Sequence, residues 1–579
     1  MKKVYTLIVI CILIPIIALA AGFTFRDEYS TDRAAGKVDD TAAEPGPGTR
    51  DVATDTNSKL TIASGVLTFA TGGSAVGDPG LWYAVKTRTV GLGIIGEVTN
   101  PDTNASLAIG WDTNQTGAIA DYFSFAASGV LNVGVNAGTA IPVGTYTAAS
   151  NKVGVFQRGT GAFYLANLAG GKWELYWIGA AGVSNNYPAS IALGITSVAT
   201  SSYLRIPTTL WLPTPIAYDT FTRGNGAIGV SETTGPDTGF APTAKTWASG
   251  STTWTISTNQ AINTPTLAGN LTTDGGFETW ASSTDLTNWT ETIAGTSTLN
   301  QDTDAGDLHG GSSAVRCDLD ATPSLCSFYQ TLTVASTTWL YHSVWAKSSI
   351  NGGSFRFTNS AGDSLGNAKA LTNSYANYFI TERLTAANPS RGIKRDTAAG
   401  SISEFFDDYT VYPLTLSELF ATVPTSTADV IATVTPSTNP AGTQAGLVVN
   451  LDSTSNPQSL IIAYHDGVNC KVEELVAGTW NATPKISTST GCTYNAAYEL
   501  RVIRDGTELR LYYNNALIGT AQTMTANTNT NHGMFSTYSG NTLNDFSLYA
   551  RGTGGEYNIL NTLNSAGGGG SLMLLGVGK

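Results

Sequence analysis

The stretch AGNLTTDGGFETWAS, residues 268–282, reads as the first strand of a new domain. A polar approach leads to the Gly275-Gly276 turn, and Phe277 and Trp280 follow as apolar anchors. The segment before it, from Asp219, has only just opened a domain of its own. One domain therefore begins inside another, and comparing the chain with itself explains how. RDEYSTDRAAGKV (26–38) matches YDTFTRGNGAI (218–228), with Asp27, Tyr29, Arg33 and Gly36 facing Asp219, Phe221, Arg223 and Gly226 across a two-residue gap. KLTIASGVLTF (59–69) then faces TWTISTNQAIN (253–263). The first copy continues with WYAVKTRTVGLGIIGEV and ASLAIGWD. In the second copy the counterparts wait until LFATVPTSTADVIATV (419–434) and AGLVVNLD (445–452). VGVFQRGTGAFYL (153–165) faces LRVIRDGTELRLYY (500–513), each two alternating runs around a glycine turn, a hairpin signal.

The second copy is thus split by a piece of ordinary domain size, a change tolerated where the guest's ends lie close together. The expected organisation is a leader over 1–21, a first sandwich over 22–214, a second over 217–268 and 416–552, an inserted body over 269–415, and a Gly-rich tail over 553–579.

Bulk composition agrees with an all-β chain. Of 579 residues, only 13% are charged while 42% are hydrophobic, and short alternating runs end at Gly, Asn, Asp or Pro. The formal net charge of −13 and the lack of a basic cluster exclude nucleic acid as an expected partner, because a phosphate backbone needs grouped Lys and Arg. MKKVYTLIVICILIPIIALAAG has a basic start, an apolar run and a small-residue end, the pattern of a secretory signal peptide. After its removal no transmembrane span is expected, and the location is secreted or at the cell surface. Four cysteines then remain. Sequence proximity pairs Cys317 with Cys326 across a hairpin, and Cys470 with Cys492 by a fold-back near Asn481.

Both copies resemble the concanavalin A-like sandwich superfamily, including laminin G-like modules. The carriers are the opening Asp-x-aromatic pattern, the Ile-centred strand before a Gly or Asn turn, and the hairpin RDGTELRLYYNNALIGT. The inserted body resembles cenC-type carbohydrate-binding modules, which are galactose-binding-like jelly rolls. The matching stretches, in order, are NLTTDGGFETWASSTDLTNWT, HGGSSAVRCDL, YQTLTVASTTWLYHSVWAKSS and EFFDDYTVYPL. The resemblance implies a β fold that often binds glycans, and a structural calcium held through Glu278, Asp407 and Asp408.

TWLYHSVWAKSS puts Trp339, Tyr341, Ser343 and Trp345 on one strand face and Leu340, His342, Val344 and Ala346 on the other. Trp339, Tyr341 and Trp345 therefore form either a stacking platform for sugar rings or part of the sandwich core. No Glu-x-Asp-x-x-Glu strand, Ser/His/Asp set or zinc-ligand spacing occurs. The expected function is non-catalytic: binding of a polysaccharide or cell-surface glycan, or adhesion. The alternatives are a structural assembly protein of the phage-tail or surface-layer type, and a glycoside hydrolase with an atypical site.

Overall fold

The computed structural model describes residues 23–552 except 28, 35–37, 39–49, 55–59, 71–75, 84–92, 99–106, 113–118, 127–128, 148, 182–186, 194–198, 208–212, 236–241, 320–324, 397–401, 438–441 and 494–496. The proposed leader and the Gly-rich tail lie outside these residues. The chain is all-β, with no α-helix among the described residues. Two compact units separate, one built mainly from 1–215 and the other from 216–233 and 243–548.

The first unit is a sandwich of two antiparallel sheets. One runs Glu174–Ala180, Gly161–Asn167, Asn151–Arg158, Gly93–Val98, Ala199–Pro207, Val66–Phe69, Leu60–Ala63, with Phe23–Asp27 also pairing Ala199–Pro207. The other runs Ile141–Thr145, Val130–Gly134, Ile119–Ala126, Leu107–Asp112, Tyr187–Leu193, Val76–Tyr83, Arg50–Thr54.

The second unit repeats both orders strand for strand. Its first sheet contains, in the corresponding order, Ala516–Thr523, Glu508–Tyr513, Leu500–Asp505, Val430–Ser437, Thr542–Ala550, Gln260–Asn263 and Trp254–Ser257. Its second contains Thr479–Trp480, Cys470–Val476, Leu460–His465, Ala445–Leu451, Asn531–Ser536, Phe420–Pro424 and Ala248–Ser249. Gln260–Asn263 pairs directly with Thr542–Ala550, and Ile256 shares one buried cluster with Val449.

Local chemistry recurs with the topology. Tyr29 and Phe221 both sit at positive φ, 52° and 58°, and each backbone N–H donates to the buried aspartate two residues before it, at 3.1 and 2.9 Å. That aspartate is bidentate to arginine in both copies. Asp219 pairs with Arg223, whereas Asp27 pairs with Arg50 rather than with the aligned Arg33. The hairpin Trp254–Asn263 turns through Thr258 and Asn259, both at positive φ, as a two-residue turn on twisted strands requires.

Between Asn263 and Phe420 the chain builds two further five-stranded sheets. One orders Thr290–Ala294, Leu325–Thr331, Ser390–Arg395, Ser354–Thr358, Ser364–Ala370. The other orders Thr298–Asp302, Ala314–Leu319, Ile402–Leu414, Trp339–Ser348, Ala376–Arg383. Phe277, Phe328, Val344, Phe355, Phe406 and Tyr409 fill the space between them. The ends of this body are tied together. Leu271 N–H donates to the Val411 carbonyl at 2.8 Å, and Thr266 N–H and hydroxyl both reach the Glu418 carboxylate, at 2.7 and 3.0 Å.

Both disulfides form as expected, Cys317–Cys326 and Cys470–Cys492. The first does not close a hairpin. Cys317 lies in Ala314–Leu319 of one sheet and Cys326 in Leu325–Thr331 of the other, so the bridge crosses the module's core.

Candidate functional site

Strand Trp339–Ser348 alternates as its sequence implies. Leu340, Val344 and Ala346 enter the module core, and Trp339, Tyr341, Ser343, Trp345 and Lys347 face outward. The outer face is divided in its use.

At one end it is a joint. Trp339 is 1% exposed, edge-on to Tyr464 and Trp480 at 6.3 Å and tilted against Phe535 at 5.4 Å. Its cluster includes Phe420, Val448, Leu460, Ile462 and Leu475 of the second sandwich. Those residues occupy the face opposite the sandwich's own interior, where Ile461, Ala463 and Val472 lie. Two outward faces have thus become one core. Trp339 is therefore not part of an open stacking platform: burying its indole against Tyr464, Trp480 and Phe535 within this cluster outweighs leaving it in water. Tyr341 follows it, with its ring near-parallel to Phe379 at 6.0 Å and Tyr538 at 6.2 Å, and burial pushes its hydroxyl up to about 12. Polar groups complete the seam. Gln444 bridges Thr381 and Thr537, Arg383 pairs with Glu473, and Thr381 N–H donates to the Gly442 carbonyl at 2.8 Å.

At the other end Trp345 remains half-buried. The His309 ring stacks on it at 3.9 Å and 14°, and Tyr375 meets His309 edge-on at 5.6 Å. Tyr375 donates to the Asp307 carbonyl at 2.7 Å, and Lys347 Nζ reaches Asp307 Oδ1 at 2.6 Å. His309 is not among the residues that the sequence singles out. The residues that place it on Trp345 lie far from it in the chain, so no local signal marks the pair.

Glu278, Asp407 and Asp408 do gather, around the loop His309–Ser312. That loop supplies donors. His309 N–H and Gly310 N–H both reach Asp407 Oδ2 at 3.0 Å, and His309 Nδ1 lies 2.7 Å from Asp408 Oδ2. Ser312 N–H donates to both Glu278 oxygens, at 2.9 and 3.1 Å. Burial raises the Asp407 carboxyl despite these bonds. Calcium needs about six to eight oxygen ligands, and here the lone pairs face N–H groups. Among the described residues no group of three His, Cys, Asp or Glu is arranged to hold a metal ion. No role is derived through calcium.

A polar pocket of about 330 Å³ along the seam holds Glu382, Asp466 and Glu473. Burial alone would raise Glu382, but hydrogen bonds from His342 and the Arg391 charge hold it below the usual carboxylate range. Asp466 is likewise lowered, with Lys471 overriding burial. A general acid for glycoside cleavage needs the opposite shift.

No family profile matches the chain, and no curated protein matches it. Several solved structures are similar. The CBM22-1 xylan-binding domain of Paenibacillus barcinonensis Xyn10C is 11% identical, covering 26% of this chain and 97% of that one, at a TM-score of 0.20. LamAcat from Zobellia galactanivorans is 11% identical over 32% and 97%, at 0.23. The enzymatically active domain of bacteriophage CBA120 tailspike protein 4 is 15% identical over 25% and 21%, at 0.20, so the chain spans about a fifth of that domain. At such scores the likeness assigns no residue a role. The β-sandwich and jelly-roll architecture rests on the sheets described above.

Proposed function

We propose that this chain is an exported, non-catalytic protein that binds a polysaccharide or cell-surface glycan, or adheres through one. In this reading the two repeated sandwiches are of the concanavalin A or laminin G type, and the inserted body is of the cenC type. The observation that carries it is the Trp345 corner. A half-buried indole lies on the outward face of a jelly-roll sheet, with His309 and Tyr375 beside it and Asp307, Lys347 and Asp408 at its edge. Flat aromatic surface with polar groups at the rim suits the C–H face and hydroxyls of a sugar ring. Two disulfides support an oxidising destination.

The test is a glycan array probed with the full chain and with Trp345→Ala. Binding by the parent that falls at least tenfold in the variant supports the reading, and equal binding by both rejects Trp345 as the contact. A second reading, a structural or assembly role, is favoured by the seam, which commits Trp339 and Tyr341 to joining modules. An array silent for the full chain selects it.

A further inference from the structure

A second cleft, of about 340 Å³, opens along the same seam between the inserted body and the second sandwich. Its size falls within the range of roughly 300–1,000 Å³ usual for small-molecule sites. None of its lining residues is charged. Hydroxyls come from Thr337, Thr338 and Ser417, and amides from Asn456 and Gln458. Leu416 supplies half-buried apolar wall, and Leu475, Trp339 and Trp480 lie almost wholly buried behind it.

The rim on the sandwich side is preorganised. Asp452 Oδ1 accepts the N–H groups of Ser453 and Gln458, at 2.8 and 3.0 Å, and Ser453 Oγ accepts the Asn456 N–H at 3.2 Å. Gln458 donates to Asn456 Oδ1 and the Pro457 carbonyl, which turns its own carbonyl oxygen and the Asn456 NH₂ to other partners. The indole nitrogens of Trp339 and Trp480 are buried with no hydrogen-bond partner among the described residues. Both nitrogens are closed off from solvent, so they add a cost to the joint and offer no donor to the cleft.

We infer that this cleft binds one uncharged saccharide unit, and that the site exists only when the inserted body sits on its host. Neutral hydroxyls and amides both donate and accept, as sugar hydroxyls do, while the half-buried Leu416 offers apolar surface to the C–H face of the ring. An anion or cation would enter without a counter-charge, at a desolvation cost that nothing in the lining offsets. The inference rests on the glycan reading above but assigns a different site, about which the Trp345 corner says nothing.

Isothermal titration of the full chain with cellohexaose, xylohexaose, laminarihexaose and hexagalacturonate tests it. The variants are Asn456→Ala/Gln458→Ala, Thr337→Trp, which fills the cleft from an exposed position, and Trp345→Ala. The expected result is binding of a neutral hexamer that weakens at least tenfold in both cleft variants, independently of any loss that Trp345→Ala causes at the corner. Cleft variants that bind like the parent overturn the seam site, and loss in Trp345→Ala alone does so while leaving the corner reading standing. Tighter binding of hexagalacturonate than of any neutral hexamer overturns the ligand class. No binding of any hexamer by the parent overturns the seam site, while the glycan array described above decides the wider glycan reading separately.

Discussion

Replacing Trp339 by alanine separates a structural seam from a ligand platform. The side chain is 1% exposed and touches Tyr464, Trp480 and Phe535 across the joint. A buried tryptophan removes about 150–250 Å² from water. At about 25 cal/mol per Å² that is worth roughly 4–6 kcal/mol, while measured large-to-small changes of this kind cost about 3–5 kcal/mol. Its indole nitrogen has no partner to lose, so no hydrogen-bond cost is added. We expect about 4 kcal/mol, lost from the second unit and not from the first. For a unit of more than about 250 residues this lowers the midpoint by roughly 8 °C, at about 2 °C per kcal/mol. Differential scanning calorimetry of the full chain reads it directly, with Trp345→Ala as the control that moves the same transition by less than about 2 °C. A Trp339→Ala protein that melts with the parent and loses only glycan binding refutes the seam.

Three further outcomes follow from the same geometry. Excising 270–414 behind a short Gly-Ser linker uncovers Phe420, Val448, Ile462 and Phe535, so the shortened chain binds a hydrophobic dye or precipitates where the parent does not. Replacing the Cys317–Cys326 pair by alanines opens a loop of sequence separation 9 and costs about 2.6 kcal/mol in the chain-entropy model, whereas the Cys470–Cys492 pair, with separation 22, costs about 3.4 kcal/mol; urea titration of each double variant checks the order. His532 is fully buried, accepts the Asn450 N–H at Nδ1 and donates from Nε2 to the Thr427 carbonyl, and desolvation lowers its pKa to about 4. The unfolded chain takes up this proton near 6.5 and the folded one does not, so the stability held above pH 6.5 falls by about 3 kcal/mol as pH drops toward 4, a slope that His532→Gln removes.

Much of the architecture was legible because it is written in short-range patterns. The run TWTISTNQAIN shows period-two burial, and in LRVIRDGTELRLYYNNALIGT the alternate residues Leu500, Val502, Leu509, Leu511 and Tyr513 enter one core; the turns of both adopt positive φ at Thr258, Asn259, Asn514 and Asn515. The alternation of Trp339, Tyr341 and Trp345 was equally plain. What covers each of them was not. Pattern assigns a side chain to a face, but the covering partner is set by contacts such as Trp339 with Phe535, nearly two hundred residues apart. The same limit explains the disulfide, whose proximity was readable while its crossing from one sheet to the other was not. It also explains the carboxylates, whose convergence near Gly310 was implied but whose filling by backbone donors was not.

The insertion point itself accounts for the seam. The guest leaves and rejoins its host within reach of one carboxylate, Glu418, which accepts from Thr266 on the outgoing chain while its carbonyl accepts the Trp254 indole N–H at 3.0 Å. Strand Phe420–Pro424 then starts in the host sheet immediately after Ile402–Leu414 ends in the guest sheet, separated only by the 3-10 turn Leu416–Leu419. A link that short denies the guest the freedom of a tethered module. Its sheet must lie against the host face beside which it ends, and the cheapest contact between two faces rich in Trp, Tyr, Phe and Leu is a shared apolar core. Lengthening the link after Leu414 by about ten Gly-Ser residues therefore makes the joint compete with chain entropy, a penalty of only a few kcal/mol. If the aromatic packing of Trp339 supplies the binding, guest and host still melt together. If the short link alone holds them, two transitions appear, and the seam is a product of tethering instead of complementarity.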